Sequence, residues 1–397
     1  MTYQKRTRDE HLALDGRPKR ILALDGGGLR GILSLGILQK VENILRARHG
    51  GSPDFRLSHY FDLIAGTSTG AIIAATLALG WTVEDICTRY NELGSAVFQK
   101  SLLRNGLLRA KYDKDMLIAK LKEVFGSDTR LGDSKIDTGL LVMTKRIDTG
   151  SSWPISNNPR GKYFASRPNH ILGNGDYPLW QVVRASTAAP AYFDPELIAI
   201  ASPPGMQPVT GEFIDGGMSP FNNPALMAVM YATLDGYRIG WPAGEDKLLL
   251  VSVGTGAADP AVKRANIPAE HALRSLLALM NDTAALQEVM LQWMSKSRTA
   301  RVIDRELGDL QHDSMGTASF SYLRYNVDLT VDEVQKLDPN LKDTAQIASL
   351  TAMDAPENME TLHRLGVKCG ERDVRDADFP VLFDLPSVIP AAAPRGQ

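Results

Sequence analysis

Short apolar runs alternate along the first two thirds of the chain with longer segments of helical spacing. Ile21 to Leu24, Phe61 to Ala65, Leu140 to Thr144 and Leu248 to Val253 have strand length, and Phe213-Ile214 ends another strand. Between them, Ile32 to Arg48 places Leu35, Leu38, Val41 and Leu45 at three- and four-residue steps, the stripe of an amphipathic helix. Ala71 to Leu79 is apolar on every face, the pattern of a helix buried all round. Trp81 to Gln99, Asp113 to Phe125 (with Asp113 as its cap), Pro178 to Ala188 and Pro224 to Leu234 read as further helices. Thr149 to Gly175, with its Asn, Pro and Gly, reads as a long surface loop, and Phe193 to Ile200 as extended. Strands alternating with helices predict an α/β fold whose mostly parallel sheet is covered on both faces.

Past residue 260 the pattern changes. Ala269 to Ser297 is long, helical and rich in Leu and Met, Phe320 to Asp328 is a strand candidate, and Pro356 to Leu365 is a last helix. The expected organisation is a mobile polar arm over 1–19, a main α/β domain over 20–260, a mainly helical region over 261–379 packed on the same domain, and a disordered Pro/Ala-rich tail over 380–397.

Composition narrows the function classes. The 397 residues are 44% hydrophobic and 23% charged, ample for a sizeable core, and the net charge of -2 gives no basic field to draw nucleic acid. Cys87 and Cys369 stand far apart, without metal-ligand or disulfide spacing, as suits a reducing cytoplasm. Met1 to Lys19 lacks the apolar core of a signal peptide, and the apolar stretches are too short to span a bilayer. A protein of this kind that acts on lipid approaches the membrane from the water side. Lys100 to Lys111 mixes leucines with basic residues, as a cover over a site, a patch for anionic headgroups or a plain connection would.

Three stretches carry chemistry. The first is Gly66-Thr67-Ser68-Thr69-Gly70, set between an apolar strand and an apolar helix. Glycines allow the sharp turn, which exposes the Ser68 hydroxyl at the head of the helix as in a nucleophile elbow; a plain polar helix cap is the other reading. The second is Asp25-Gly26-Gly27-Gly28-Leu29-Arg30-Gly31. It matches neither Gly-x-x-x-x-Gly-Lys-Ser/Thr nor Gly-x-Gly-x-x-Gly in register, but consecutive glycines before a helix let backbone N–H groups converge on an oxyanion; a plain glycine turn is the other reading. Within it, Arg30 either adds positive charge near the oxyanion or pins the loop, and pinning is the favoured role. The third is Asp215-Gly216-Gly217 at a strand tip, a turn former or a catalytic carboxylate.

In this order, the three stretches resemble the patatin-like phospholipase family. The resemblance extends to Arg184-Ala185-Ser186-Thr187-Ala188-Ala189-Pro190, Asn222-Asn223-Pro224 and Ser252-Val253-Gly254-Thr255-Gly256, covers about residues 20–256, and is weak beyond. It implies a three-layer α/β/α sandwich and hydrolysis of phospholipid or lysophospholipid esters without calcium. It implies Ser68 as nucleophile, Asp215 as its dyad partner, Gly66 and Gly70 at the elbow, and an oxyanion loop of Gly26, Gly27, Gly28, Arg30 and Gly31. No metal and no cofactor is expected, and the partners are membrane lipid, met from the cytoplasm by peripheral contact, and no nucleic acid.

Alternatives stay open. Some bacterial relatives are defence effectors switched on by cyclic nucleotides during phage infection, and the region after residue 260, which the core chemistry does not require, has room for such a switch. A Ser–His–Asp triad would draw on His271, His312 or His363, and a purely binding module would use the glycine loops to hold a nucleotide. His11, His49, His59 and His170 read as surface or structural groups.

Overall fold

The computed structural model describes residues 3–97, 114–190, 192–257, 268–313 and 315–386, except the side chains of 95–97, 268–277 and 281. Lys100 to Lys111 and residues 387–397 lie outside the described residues, as do Asp113 and the side chain of His271. The chain opens with α1 (Arg8–Leu12), β1 (Lys19–Leu24), α2 (Gly31–Arg48), α3 (Leu57–Tyr60), β2 (Leu63–Thr67), α4 (Thr69–Ala78) and α5 (Val83–Val97). Next come α6 (Lys114–Phe125), β3 (Gly139–Arg146), β4 (Ser151–Ser156), α7 (Leu179–Ser186), β5 (Glu196–Ala201), β6 (Val209–Asp215), α8 (Ala225–Thr233) and β7 (Leu248–Val253). The C-terminal region adds α9 (Pro268–Trp293), β8 (Lys296–Ser297), β9 (Ser321–Tyr325), α10 (Val331–Leu337), α11 (Thr344–Ser349) and α12 (Met359–Asp373).

The strands form one sheet in the order β5-β6-β3-β2-β1-β7-β9-β8, with β4 attached to β3. From β3 through β2, β1, β7 and β9 to β8 every pairing is parallel, while β4 and β6 run antiparallel to β3. Alternation along β1 explains the layers. Ile21 and Ala23 face a core shared with Ala225 and Ala228 of α8, and Leu22 and Leu24 face the larger core that holds α2 and α4. Burying both faces is what turns these strands into continuous apolar runs. The result is the expected α/β/α sandwich. The C-terminal region is not only helical: β9 pairs with β7 and extends the same sheet.

Three expectations need correction. The supposed loop over 149–175 contains β4, which pairs with β3 through Thr144 and Trp153. Pro154 hides it from a strand pattern, yet proline is tolerated where no second neighbour needs its N–H. The N-terminal stretch, from Tyr3 onward, is packed rather than mobile. Tyr3 is buried with its hydroxyl 2.8 Å from His59 Nδ1, and Arg6 and His11 converge on buried Asp62 at 2.8 and 2.9 Å. The tail stays packed as far as the structure describes it: Phe383 and Leu385 are buried, and Arg48 Nη2 donates to Asp384 at 3.0 Å.

Candidate active site

The end of β2 feeds directly into α4, and Ser68 at the joint has φ 54° and ψ −122°. A non-glycine residue at positive φ is strained and needs its surroundings to hold it. Gly66 and Gly70 permit the turn, since a Cβ on Gly66 would strike the Gly70 backbone and one on Gly70 the Leu24 carbonyl. Ser186, at the end of α7, pins the strained residue. Its hydroxyl accepts the Ser68 N–H at 2.8 Å and donates to the Met143 carbonyl at 2.6 Å.

Strand β3 acts as the ruler that brings the second residue in. Met143 pairs with Thr67, the last residue of β2, and the next residue, Thr144, pairs with Asp215, the last of β6. Beyond the end of β2 its place beside β3 is thus taken by β6, and the two chain ends meet. Ser68 Oγ donates to Asp215 Oδ2 at 2.6 Å, and Gly217 N–H donates to Oδ1 at 2.7 Å. Burial pushes the Asp215 carboxyl up to about 6, against the lowering by the Ser68 hydroxyl, the Gly217 N–H and the Arg184 charge.

The glycine loop after β1 faces this pair. Asp25, at its start, is clamped by Arg324 of β9 at 2.7 and 3.0 Å, and Arg324 also donates to Ser252 at 2.8 Å. Gly26 donates its N–H to the Asn222 carbonyl at 3.1 Å, and Leu29 donates to the Met353 carbonyl at 2.7 Å. Gly27 and Gly28 line the pocket beside Ser68, and among the described residues neither N–H has a protein acceptor. Gly28 takes φ +59°, and Tyr90 of α5 donates its hydroxyl to the Gly28 carbonyl at 2.6 Å. The pocket is apolar, walled by Leu29, Ile72, Leu93, Leu117, Phe193 and Met280, with the Ser68–Asp215 pair among its lining.

A family profile described as patatin-like phospholipase matches residues 22–229, more than half of the chain. The chain belongs to the patatin-like phospholipase family. It is 29% identical over 255 residues to calcium-independent phospholipase A2-gamma of Oryctolagus cuniculus, covering 62% of this chain and 29% of that protein. It is 26% identical over 254 residues to the cGAMP-activated phospholipase of Escherichia coli (strain TW11681), covering 62% of this chain and 65% of that one. It is 34% identical over 218 residues to the cUMP-AMP-activated phospholipase of Escherichia coli, covering 54% and 59%. The chain thus spans less than two thirds of the length of each of these relatives. Among solved structures it is similar to human GIVD cytosolic phospholipase A2, with a TM-score of 0.49, 12% identity, and coverage of 95% and 62%.

For a patatin-like chain the glycine loop divides its labour more sharply than the motif suggests. Of the five residues expected at the oxyanion hole, three are engaged elsewhere. Gly26 spends its N–H on Asn222, and Gly31 faces Thr69 and Tyr90, where a Cβ would lie 2.6 Å from the Tyr90 hydroxyl. Arg30 is buried, does not line the pocket, and points its Nη1 to the Thr351 carbonyl at 3.5 Å. Burial lowers its guanidinium to about 10, opposed by the charge of Asp25. Pinning, the favoured role, is the one this geometry fits.

Among the described residues no histidine lines the pocket. His363 Nε2 lies 3.7 Å from Cys87 Sγ, His312 and His170 are exposed, and His11, His49 and His59 are buried with the N-terminal segment. Among the described residues no three His, Cys, Asp or Glu gather as a metal would need, and no helix is long and apolar enough to cross a membrane. Ser186 and Arg324 are functional positions without a motif of their own. Ser186 sits inside one of the matching runs, and Arg324 is the one charge in strand β9, a signal of a buried ion pair.

Proposed function

We propose that this chain hydrolyses the carboxylic esters of phospholipids or lysophospholipids through Ser68 and Asp215. The observation that carries the reading is the 2.6 Å hydrogen bond from Ser68 Oγ to a buried carboxylate beside an apolar pocket. Family membership supports the reaction class, and the phospholipase names of the relatives support the substrate class.

The mechanism follows from the groups present. With the acyl chain in the apolar pocket, the ester carbonyl stands over Ser68. Asp215 takes the Ser68 proton as Oγ bonds to the carbonyl carbon. The oxyanion receives the free N–H groups of Gly27 and Gly28, which lie at a loop leading into α2, whose dipole favours negative charge there. Collapse breaks the bond to the alcohol, which leaves with the proton held by Asp215. Water then gives its proton to Asp215, attacks the acyl-enzyme and releases the fatty acid, and the proton returns to Ser68.

The test is fatty-acid release from phospholipid vesicles by wild type, Ser68→Ala and Asp215→Asn. Loss in both variants is expected; equal activity in all three overturns the reading, and activity abolished by a substitution at His271, His312 or His363 transfers it to a triad.

A second reading, of the same enzyme under control, has its own support. Two relatives are named for activation by cGAMP and by cUMP-AMP, and the C-terminal region here holds the glycine loop at both ends, through Arg324 on Asp25 and Met353 on Leu29. In that reading a cyclic dinucleotide switches on degradation of membrane lipid, as a defence effector requires. Hydrolysis equal with and without cGAMP or cUMP-AMP rules it out.

A further inference from the structure

Outside the catalytic pocket the chain has a second cavity of opposite character. It opens beside the end of β9, between the segment after β8 and the C-terminal end of α12, and its walls are polar. Five arginines line it: Arg298, Arg301, Arg324, Arg372 and Arg375. Carboxylates line it too, and their pairing decides which cations remain. Arg301 holds both oxygens of Asp328, at 2.6 and 2.7 Å. Arg372 takes up Glu333 and Asp373, both at 2.7 Å. Asp378 accepts from the Tyr325 hydroxyl and the Arg375 backbone N–H, each at 2.9 Å.

After this pairing, Arg298 and Arg375 are left with no carboxylate partner among the described residues. Arg298 donates to the Ala377 carbonyl at 3.4 Å. The inner wall adds a third feature. Arg324 is only 6% exposed, spends both terminal nitrogens on Asp25 and Ser252, and leaves its Nε buried without a partner. An unpartnered buried N–H is costly, so the fold holds this guanidinium in place through Asp25 and Ser252 alone among the described residues.

We propose that this cleft binds a phosphate-bearing anion from solution, and that its occupancy reaches the glycine loop through Arg324 and Asp25. Guanidinium groups match phosphate oxygens in geometry as well as charge, and two of them stand at the rim without a carboxylate partner among the described residues. The cleft lies at the carboxyl end of a parallel strand, where ligands of open α/β sheets enter. Arg324 has one face on this cleft and clamps the residue that begins the loop of Gly27 and Gly28. An anion drawn to the arginines changes the field and position of that clamp. The loop's other anchor, the Met353 carbonyl, belongs to the same C-terminal region as the cleft. The coupling half rests on the Ser68–Asp215 reading, while the binding half does not.

The experiment separates the two. Calorimetry on the full chain carrying Ser68→Ala uses cGAMP, inorganic pyrophosphate and, in a third arm, phosphatidylglycerol vesicles. The expected result is binding of cGAMP or pyrophosphate that weakens with salt and falls at least about tenfold in the doubly substituted Arg298→Ala/Arg375→Ala chain, whose exposed positions leave folding intact by melting temperature. Failure of both soluble anions to bind, or equal binding by the double variant, overturns the site. Arginine-dependent binding of vesicles alone makes the ligand a lipid headgroup and overturns the soluble anion. In the chain with native Ser68, the bound anion is expected to change the rate of fluorophosphonate labelling at Ser68 at least about threefold. Labelling unchanged at saturation overturns the coupling. Absence of any labelling with anion binding intact strikes the catalytic reading and leaves the site standing.

Discussion

Two buried aspartates lie near opposite ends of strand β2 and have opposite electrostatics. Asp62 precedes the strand and is wholly buried, with Arg6, His11 and Arg20 all within 2.9 Å. Burial alone would raise its carboxyl, but these partners outweigh it and hold the group far below the usual carboxylate range. Asp215 meets the chain beyond the other end of β2 and has a hydroxyl and one backbone N–H for direct partners. Its burial is only partly offset, and its carboxyl rises to about 6. The first aspartate ties the N-terminal segment to the sheet. The second is left basic enough to take a proton in the proposed mechanism. Partner supply, not depth, separates the carboxylate held charged from the one whose affinity for a proton is raised.

Asparagine at each position breaks this comparison most severely. Asp215→Asn is expected to lower kcat/KM on vesicle or soluble ester substrates by about 10³-fold, the usual scale for losing a general base. It is also expected to raise stability at pH 8. A carboxyl whose folded pKa is raised favours the folded state fully below its unfolded value of 3.8 and loses that contribution as pH climbs through about 6. Removing the charge recovers up to about 3 kcal/mol there, less what the lost hydrogen bonds cost. Asp62→Asn goes the other way: it strands buried cations and costs about 3–5 kcal/mol, read by denaturant melts, with activity per folded molecule retained. The stabilisation by Asp62 is present above the unfolded value and is lost as pH falls below about 4. If both variants lose stability at pH 8 by similar amounts, the contrast fails.

The pH profile sharpens the same point at smaller amplitude. In wild type, log kcat/KM should rise with unit slope up to about pH 6 and level off above it, because only the carboxylate accepts the Ser68 proton. A limb near pH 4 would mean that Asp215 is better solvated or paired than its surroundings indicate.

The difference between the two aspartates was only half legible in the sequence. Asp215 stands before Gly216-Gly217 at the tip of an apolar run, and the elbow around Ser68 has its own strand and helix, so local pattern exposes both. Alternation of apolar runs and helical stripes likewise gives the layered sheet. Asp62 carries no local signal, because its partners are Arg6, His11 and Arg20, and no local periodicity encodes contacts such as the one with His11, 51 residues away. The same blindness made the N-terminal segment look mobile, although its charges are paired and its Tyr3 buried. Arg324 and Asp25 are 299 positions apart, so the C-terminal hold on the glycine loop was invisible too. The loop pattern offers five residues for an oxyanion hole, but only the fold shows that Gly26, Arg30 and Gly31 are engaged elsewhere while Gly27 and Gly28 face the pocket.

Ser186 tests how much the chemical end depends on its own supports. Ser186→Ala leaves the buried Ser68 N–H and Met143 carbonyl without the hydroxyl that joins them. At about 1–2 kcal/mol, kcat should fall roughly 5- to 30-fold with KM little changed. The pH limb should also move upward, since a displaced Ser68 no longer donates to Asp215 and that bond lowers its pKa. A melting temperature that drops while kcat and the pH limb stay fixed would assign Ser186 to stability alone.

The smallest expected effect belongs to Tyr90, which supports the loop rather than the dyad. Its ring lies against the pocket and its hydroxyl donates to the Gly28 carbonyl, with the Thr69 hydroxyl also in contact. Tyr90→Phe keeps the ring and removes only these bonds. Gly28 then holds its positive-φ turn through the Leu29–Met353 bond and the Arg30 N–H to the Gly27 carbonyl at 3.3 Å. One neutral hydrogen bond is worth about 1 kcal/mol, so kcat and the rate of fluorophosphonate labelling should each fall about fivefold. In the proposed mechanism both readouts depend on oxyanion stabilisation at Ser68, and the pH limb, which there reports Asp215, should not move. A shifted limb with unchanged labelling would mean that Tyr90 acts through Thr69 and the elbow, and the division between a dyad held by β3 and an oxyanion loop held by its neighbours would have to be redrawn.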